Sequence, residues 1–153
     1  MTVIIEDTRQ KAEKHAQKHE TWRDDKDTVI RCKLPYGDYI RAPRMSVDTK
    51  QNIQEIAVNM CGNGREKARF REECKLAKEA EATLVFLIED DRVTDVSDLY
   101  GQSIWIHSGK VIPGDQLAQA MHVMSERYGC RFEFCKPEDA GRRVKEILEE
   151  EDG

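Results

Sequence analysis

The feature that most constrains the fold is an uninterrupted apolar run at residues 83–88, Thr-Leu-Val-Phe-Leu-Ile. A strand that is apolar at every position has to be covered on both faces, as in the centre of an α/β sheet. Other apolar or alternating segments predict strands at residues 2–6, 28–34, 103–107 and 131–135. Helical spacing predicts helices at residues 10–23, 53–61, 65–80 and 117–128, and a last helix from Pro137 onward with Leu148 facing inward. Residues 108–115 are predicted to be a loop. The sequence therefore predicts an α/β fold, with a mixed central sheet and helices on both faces.

Length and composition narrow the class of protein. The chain has 153 residues, of which 39% are hydrophobic and 36% charged, which predicts one domain at residues 1–153 around a modest core. No apolar run approaches about 18 residues, and no charged-then-apolar leader follows the first residue, so we expect neither a membrane span nor secretion. The five cysteines show no metal-binding spacing and are expected to be reduced thiols of a cytoplasmic or nucleoid-associated protein. The net charge of -5 argues against coating nucleic acid by bulk charge, but it leaves a local basic groove open.

Two carboxylates and a lysine, Asp38, Asp48 and Lys50, form the candidate active site. Residues 46–50 are predicted as a strand, whose period of two places Asp48 and Lys50 on the same face. Because residues 42–44 are a turn signal, residues 38–41 are expected to fold back as a hairpin partner and bring Asp38 close to Asp48. Paired carboxylates suit Mg²⁺ or Mn²⁺, and the lysine can orient or deprotonate a metal-bound water. A solvated sheet face would show the same spacing, so both interpretations stay open.

Two further patterns have plain interpretations. His15 and His19 are four residues apart on the first predicted helix, but no third ligand is apparent, so we interpret them as helix-face residues. A basic stripe on the third predicted helix has many glutamate neighbours, which favours a solvated face. Its members are Lys67, Arg71, Lys75 and Lys78.

A series of short motifs follows in order along the chain. They are Glu6-Asp7-Thr8-Arg9-Gln10, Gly37-Asp38-Tyr39, Val47-Asp48-Thr49-Lys50, Asn63-Gly64-Arg65 and Leu87-Ile88-Glu89. In this order the chain resembles the nuclease domain of the XPF/Hef-type structure-specific endonucleases, a branch of the restriction-endonuclease-like fold. The likeness extends to the C-terminal helix, strand and helix, and covers nearly the whole chain. The tandem helix-hairpin-helix module that usually follows in this family is absent from the sequence.

The chain departs from the family pattern at several positions. Asp48 stands where the family has glutamate, Thr49 where it has arginine, and Gln10 where it has glutamate. Aspartate is shorter but still a hard ligand, so metal binding is expected to survive. The family's further acid after the lysine corresponds best to Glu55.

The resemblance implies a Mg²⁺-dependent or Mn²⁺-dependent DNA endonuclease that acts on branched, flap or fork DNA. Asp7, Asp38 and Asp48 would hold the metal together with the carbonyl of Thr49, and Lys50 would position the attacking water. Phosphate contacts are expected from basic residues of the first motif and of the third predicted helix, namely Arg9, Arg65, Lys67, Arg71 and Lys75.

The sequence also predicts the oligomeric state of the protein. Members of the family commonly act as dimers, and we expect a homodimer through residues 117–148. This segment carries more apolar residues than one covered sheet face requires, namely Met121, Met124, Tyr128 and Phe132.

A non-catalytic nuclease-like scaffold or DNA-binding partner of another nuclease subunit is the alternative function, which the complete acidic set disfavours. A restriction-type or recombination nuclease of the same fold is a third interpretation.

Overall fold

The computed structural model describes residues 3–9, 13, 16–34, 37–41 and 43–150. Gln10 and His15, and the first residue of the strand predicted at residues 2–6, lie outside this part of the chain. The chain forms two compact units, Met1–Arg44 and Met45–Gly153, which we call the N-unit and the C-unit.

The N-unit contains a three-stranded mixed sheet and one helix. Its elements are β1 (Val3–Asp7), α1 (Ala16–Asp24), β2 (Thr28–Cys32) and β3 (Tyr39–Arg41). The strand order is β2-β1-β3, with β2 parallel and β3 antiparallel to β1. Helix α1 has no buried residue, because its sequence lacks a continuous apolar stripe. Trp22 of α1 packs edge-on against Tyr39, with ring centroids 5.2 Å apart.

The C-unit contains a parallel sheet, a short antiparallel ribbon and four α-helices in its described part. The strands are β4 (Met45–Lys50), β5 (Thr83–Glu89), β6 (Ser103–Trp105), β7 (Val111–Pro113) and β8 (Arg131–Cys135). The helices are α2 (Ile53–Cys61), α3 (Gly64–Glu79), α4 (Gly114–Tyr128) and α5 (Ala140–Glu149). Strand β5 lies between β4 and β8, all parallel, while β6 pairs with β7.

Both faces of β5 are covered, as its apolar sequence predicted. Leu84, Phe86 and Ile88 belong to the main apolar cluster, which includes residues of α2, α3 and α4. Val85 points the other way and packs with Ile147 of α5 in a smaller cluster. The α/β class with helices on both faces of a sheet is therefore confirmed, and the layout is consistent with the restriction-endonuclease-like fold. The helices in the described part of the chain are all too short or too polar to cross a bilayer.

Local capping explains where the helices flanking the site begin and end. The Asn52 side chain accepts a hydrogen bond from the Glu55 amide (2.9 Å), and the Asn63 side chain accepts one from the Glu66 amide (3.0 Å). Each asparagine satisfies a backbone donor that the first helical turn leaves unpaired. Gly62 separates the two helices, so α2 ends and α3 restarts within three residues.

Three sequence-based predictions are wrong in detail. The predicted hairpin does not form, because β3 pairs with β1 and β4 pairs in parallel with β5. The predicted loop at residues 108–115 contains β7 and the first turn of α4. Leu148, predicted to face inward, is 43% exposed, and Ile147 is the one buried residue of α5. The mixed sheet lies in the N-unit, whereas the covered sheet of the C-unit is parallel.

Candidate functional site

Strand β4 carries the aspartate and lysine of the candidate site at its carboxyl end. The Lys50 Nζ atom lies 3.2 Å from Asp48 Oδ1, so the two side chains share one face as predicted. The ammonium also lies 6.0 Å from the centroid of the Phe86 ring. The Lys50 and Asp48 side chains are only 11% and 23% exposed, so this ion pair is more buried than a solvated sheet face would be.

Helix α3 adds a carboxylate that the sequence analysis missed. The solvent-exposed Glu73 side chain interacts with Asp48, and the pKa of Glu73 is raised to about 7. Partial desolvation is the main cause of this shift, followed by the side-chain interaction with Asp48 and the negative charge of Asp48, while Lys50 acts in the opposite direction. The available signal was positional, because Glu73 lies three residues after buried Phe70 and is therefore near the inward side of the helix.

Lys50 and Glu73 line a polar cavity of about 260 Å³ in the C-unit. Its lining combines two glutamates, two cations, an amide and one aromatic ring, namely Glu66, Glu73, Lys50, Arg69, Asn59 and Phe70. Oppositely charged groups around a polar cavity suit a ligand that carries both a phosphate and a bound cation. Arg69 and Glu66 were also absent from the sequence-based site.

The N-unit holds the first two predicted metal ligands together. The Asp7 backbone N–H donates to the Asp38 carbonyl oxygen (2.8 Å), which sets the two residues side by side. The Asp38 side chain is exposed, whereas Asp7 is buried. The structure thus brings Asp7 and Asp38 together, and convergence of both with Asp48 stays a prediction.

Arg9 is engaged by the protein itself. Its Nε donates to Asp7 Oδ2 (2.7 Å), and its terminal nitrogen donates to the Leu34 carbonyl (2.8 Å). This contact lowers the pKa of Asp7 to about 2, helped by the backbone hydrogen bonds of that carboxylate. The Arg9 guanidinium therefore stabilises Asp7 in the described structure, and its predicted phosphate contact would compete with that role.

No group of three or more His, Cys, Asp or Glu side chains in the described ranges is placed to hold a metal ion. Thr49 is exposed on β4, in register with Leu87. The Glu55 carboxylate accepts a hydrogen bond from the Gln51 amide (2.9 Å), which is a helix-capping contact. The metal ligands Asp7, Asp38, Asp48 and Thr49 stay predictions, as does the extra acid Glu55.

The predicted DNA-contacting residues of α3 lie along one helix. Arg65, Arg71 and Lys75 are exposed, while Lys67 is half-buried. None of these four side chains forms an ion pair with a carboxylate in the part of the chain that the structure describes. Their charge is available to an anionic ligand.

The apolar residues on which the predicted dimer interface was based are mostly core residues. Met121 and Met124 are 1% and 6% exposed, and the Phe132 ring stacks on Phe86 with centroids 5.2 Å apart. The view that they exceed what the fold requires is therefore wrong, because they cover the sheet. Val123 and Leu148 are the large apolar residues of this segment that stay exposed among those described. The homodimer itself stays a prediction.

No family model and no curated protein matches this chain. Among solved structures, it is similar to XPF from Aeropyrum pernix (18% identity, TM-score 0.46) and to XPF from Aeropyrum pernix in complex with DNA (17% identity, TM-score 0.47). The matches cover 96% and 97% of this chain but 60% and 64% of the solved chains.

The chain therefore spans less than two thirds of these XPF structures.

Proposed function

We propose that this protein is a metal-dependent endonuclease that hydrolyses phosphodiesters of branched, flap or fork DNA. The observation that carries the proposal is the cluster of Asp48, Lys50 and Glu73 in the C-unit. Asp48 and Lys50 lie at the carboxyl end of a parallel strand, where open α/β sheets usually bind ligands. Two neighbouring carboxylates beside an ammonium, with Glu73 and Lys50 lining a polar cavity, match the donor set of a metal-dependent phosphodiesterase.

The chemistry of these side chains fits a hard divalent cation. Asp48 and Glu73 offer carboxylate oxygens, which Mg²⁺ and Mn²⁺ prefer over nitrogen or sulfur. The raised pKa of Glu73 is partly due to the negative charge of Asp48, and a cation would relieve that repulsion. When bound, Mg²⁺ or Mn²⁺ would polarise a phosphate oxygen and acidify a bound water.

The side chains of the site have separate roles in this proposal. Lys50 is held by Asp48 and by the face of the Phe86 ring, which fixes its ammonium near the cavity. There it would orient the attacking water and offset charge that develops on the phosphate. Arg69 lines the same cavity and would bind a non-bridging phosphate oxygen. Arg65 at the start of α3 would contact a neighbouring phosphate.

Cleavage of labelled flap, fork, four-way junction and linear duplex DNA, with Mg²⁺, with Mn²⁺ and with EDTA, tests the proposal. Lys50→Ala, Asp48→Asn and Glu73→Gln should each lower the cleavage rate by about a hundredfold or more. Glu72→Gln is the matched control on the same helix, because Glu72 is exposed and does not line the polar cavity. Cleavage by Asp48→Asn at the wild-type rate would show that the active site is misassigned. Cleavage in EDTA would refute the metal dependence.

A non-catalytic scaffold or DNA-binding partner of another nuclease subunit is the second candidate. It is favoured by the contact of Arg9 with Asp7, which occupies one of the predicted ligands. DNA binding without cleavage of any of the four substrates, in either metal, would support this candidate. We also propose a homodimer through residues 117–148 and a cytoplasmic or nucleoid-associated location.

A further inference from the structure

A second cavity, of about 310 Å³, lies between α2, α3 and α4 of the C-unit. This volume falls at the lower end of small-ligand pockets, which begin at about 300 Å³. Its floor is apolar and includes Met60, Phe70 and Met124, each of which is buried. An apolar floor of this kind suits the flat face of a ring system better than a hydrated ion.

The rim of this cavity is basic. Lys67 and Arg71 of α3 and Arg127 of α4 line it. None of the three is ion-paired with a carboxylate within the described ranges. In a chain with a net charge of -5, three cations without acidic partners around one cavity indicate an anionic ligand. Arginine side chains in particular match the oxygen geometry of phosphates.

Asn59 indicates that the ligand also carries a hydrogen-bond donor. Its Oδ1 atom is buried and accepts no hydrogen bond from the described residues. A buried acceptor without a donor is unfavourable, and a ligand N–H would satisfy it. Asn59 and Phe70 also line the polar cavity that contains Lys50 and Glu73, so the two cavities share a wall.

We propose that this cavity binds one unpaired nucleotide of the DNA substrate, next to the phosphodiester that is cleaved. The base would lie on the apolar floor and donate an N–H to Asn59 Oδ1, and its phosphates would contact the basic rim. The base has to be unpaired, because in a duplex its faces and hydrogen-bonding edge are covered by neighbouring bases. This inference rests on the proposed function, because it names the substrate of the same site.

Binding of a fluorescent single strand of about 15 nucleotides, followed by anisotropy in EDTA, tests the cavity without cleavage. Ala120→Trp fills the cavity, and Arg71→Glu reverses a charge on its rim. Each should weaken single-strand binding by about tenfold or more. Arg142→Glu is the matched charge-reversal control, since Arg142 is exposed on α5 and does not line the cavity, and should weaken binding by less than about threefold.

Asn59→Leu is a second variant for the case in which the tryptophan prevents folding. It removes an oxygen that has no partner, so thermal melting should be unchanged or raised while single-strand binding weakens. Equal weakening by Arg142→Glu would overturn the proposal in favour of binding by overall charge. Duplex bound as tightly as the single strand would also overturn it.

Two further experiments distinguish the other candidates for the molecule that fills the cavity. Deoxyadenosine monophosphate should compete with the single strand on the wild-type protein, and strong binding of this nucleotide without binding of the single strand would overturn the DNA assignment. Light scattering on Ala120→Trp tests whether a second copy fills the cavity. A dimer that this variant converts to a monomer, with single-strand binding unchanged, would overturn the proposal.

The cleavage assay keeps this inference distinct from the proposed function. Loss of cleavage in Asp48→Asn, together with normal single-strand binding by all cavity variants, would refute the cavity alone. Wild-type cleavage by Asp48→Asn, together with weakened binding by the cavity variants, would refute the metal site and retain the cavity.

Discussion

The C-unit buries apolar side chains such as Phe86, Leu87 and Ile88, whereas the buried residues in the described part of the N-unit are Leu34 and two carboxylates, Glu6 and Asp7. Burying an apolar side chain is favourable by itself. Burying a carboxylate is favourable only when charged or hydrogen-bonding partners come with it. The C-unit therefore depends on how its core is filled, and the N-unit depends on whether its charges are paired.

Glu6 shows how this pairing is achieved. It is fully buried on β1, and its Oε1 lies 2.8 Å from His19 Nε2 of α1. Arg31 Nε of β2 lies 3.0 Å from Oε2, close enough for an ion pair but without a well-directed hydrogen bond. One carboxylate thus connects a helix and two strands of a unit with few buried apolar groups. Such a unit should respond to pH and to charge substitutions more strongly than an apolar core does.

Truncation in the apolar core should have the largest effect. The Phe86 ring contacts the rings of Phe70 and Phe132, with centroids 4.7 Å and 5.2 Å away. Phe86→Ala should lower the free energy of unfolding of the C-unit by about 3–5 kcal/mol, measured by urea denaturation. Leu76→Ala, at a position that is 55% exposed, is the control and should change it by less than about 0.5 kcal/mol. Equal effects of the two substitutions would contradict the assignment of the core.

Neutralising Glu6 should have the second largest effect and should be confined to the N-unit. Glu6→Gln keeps the size of the side chain but loses its charge interaction with Arg31, at a cost of about 1–3 kcal/mol. Hydrogen exchange should accelerate in β1 and β2 and stay unchanged in β5. Glu20→Gln on the exposed face of α1 is the control. Uniform acceleration across both units would show that the units do not differ as we infer.

The third effect appears only in acid. Arg9 lowers the pKa of Asp7 from 3.8 to about 2. Because the folded pKa is the lower one, this carboxylate contributes stability above about pH 4, and the contribution is lost as the pH falls towards 2. Hydrogen exchange of β1 should therefore accelerate between these pH values in the wild type. In Asp7→Asn this acceleration should be smaller, and an identical pH profile would refute the role of Asp7.

Surface ion pairs of the C-unit should have the smallest effects. Arg143 contacts Glu133 at 2.9 Å on a half-buried surface, so Arg143→Met should cost about 1 kcal/mol in urea denaturation. Lys145 and Glu149 lie 4.0 Å apart, with side chains 79% and 64% exposed, so Lys145→Met should cost less than about 0.5 kcal/mol. A larger loss from Lys145→Met would mean that charge pairing, and not the apolar core, governs this unit too.

Several features could be predicted from the sequence because they depend on neighbouring residues. The apolar run at residues 83–88 predicted a covered strand, and β5 confirms it. The alternation of β4 placed Asp48 and Lys50 on one face, which their 3.2 Å contact confirms. Such patterns depend on the two-residue and 3.6-residue periods of strands and helices, and these hold regardless of the rest of the fold.

Strand pairing was the main failure. The turn signal between residues 41 and 45 was correct in marking a break, but it predicted that β3 and β4 pair with each other. Instead β4 pairs with β5, which is distant in the sequence. A strand edge can pair with any compatible edge, and the choice depends on which pairing buries more apolar surface. In the structure, Met45 of β4 is buried with Val85 of β5 and Ile147 of α5.

The sequence by itself determined the α/β class, most element positions and the shared face of Asp48 and Lys50, because each follows from the spacing of nearby residues. Only the tertiary structure brought Glu73 to Asp48 and left Asn59 beside a basic cavity. Contacts of this kind join residues on separate elements, and their formation depends on how whole helices and strands pack. No local period records that packing, so a carboxylate among many on a charged helix could not be distinguished until the helix was placed against the sheet.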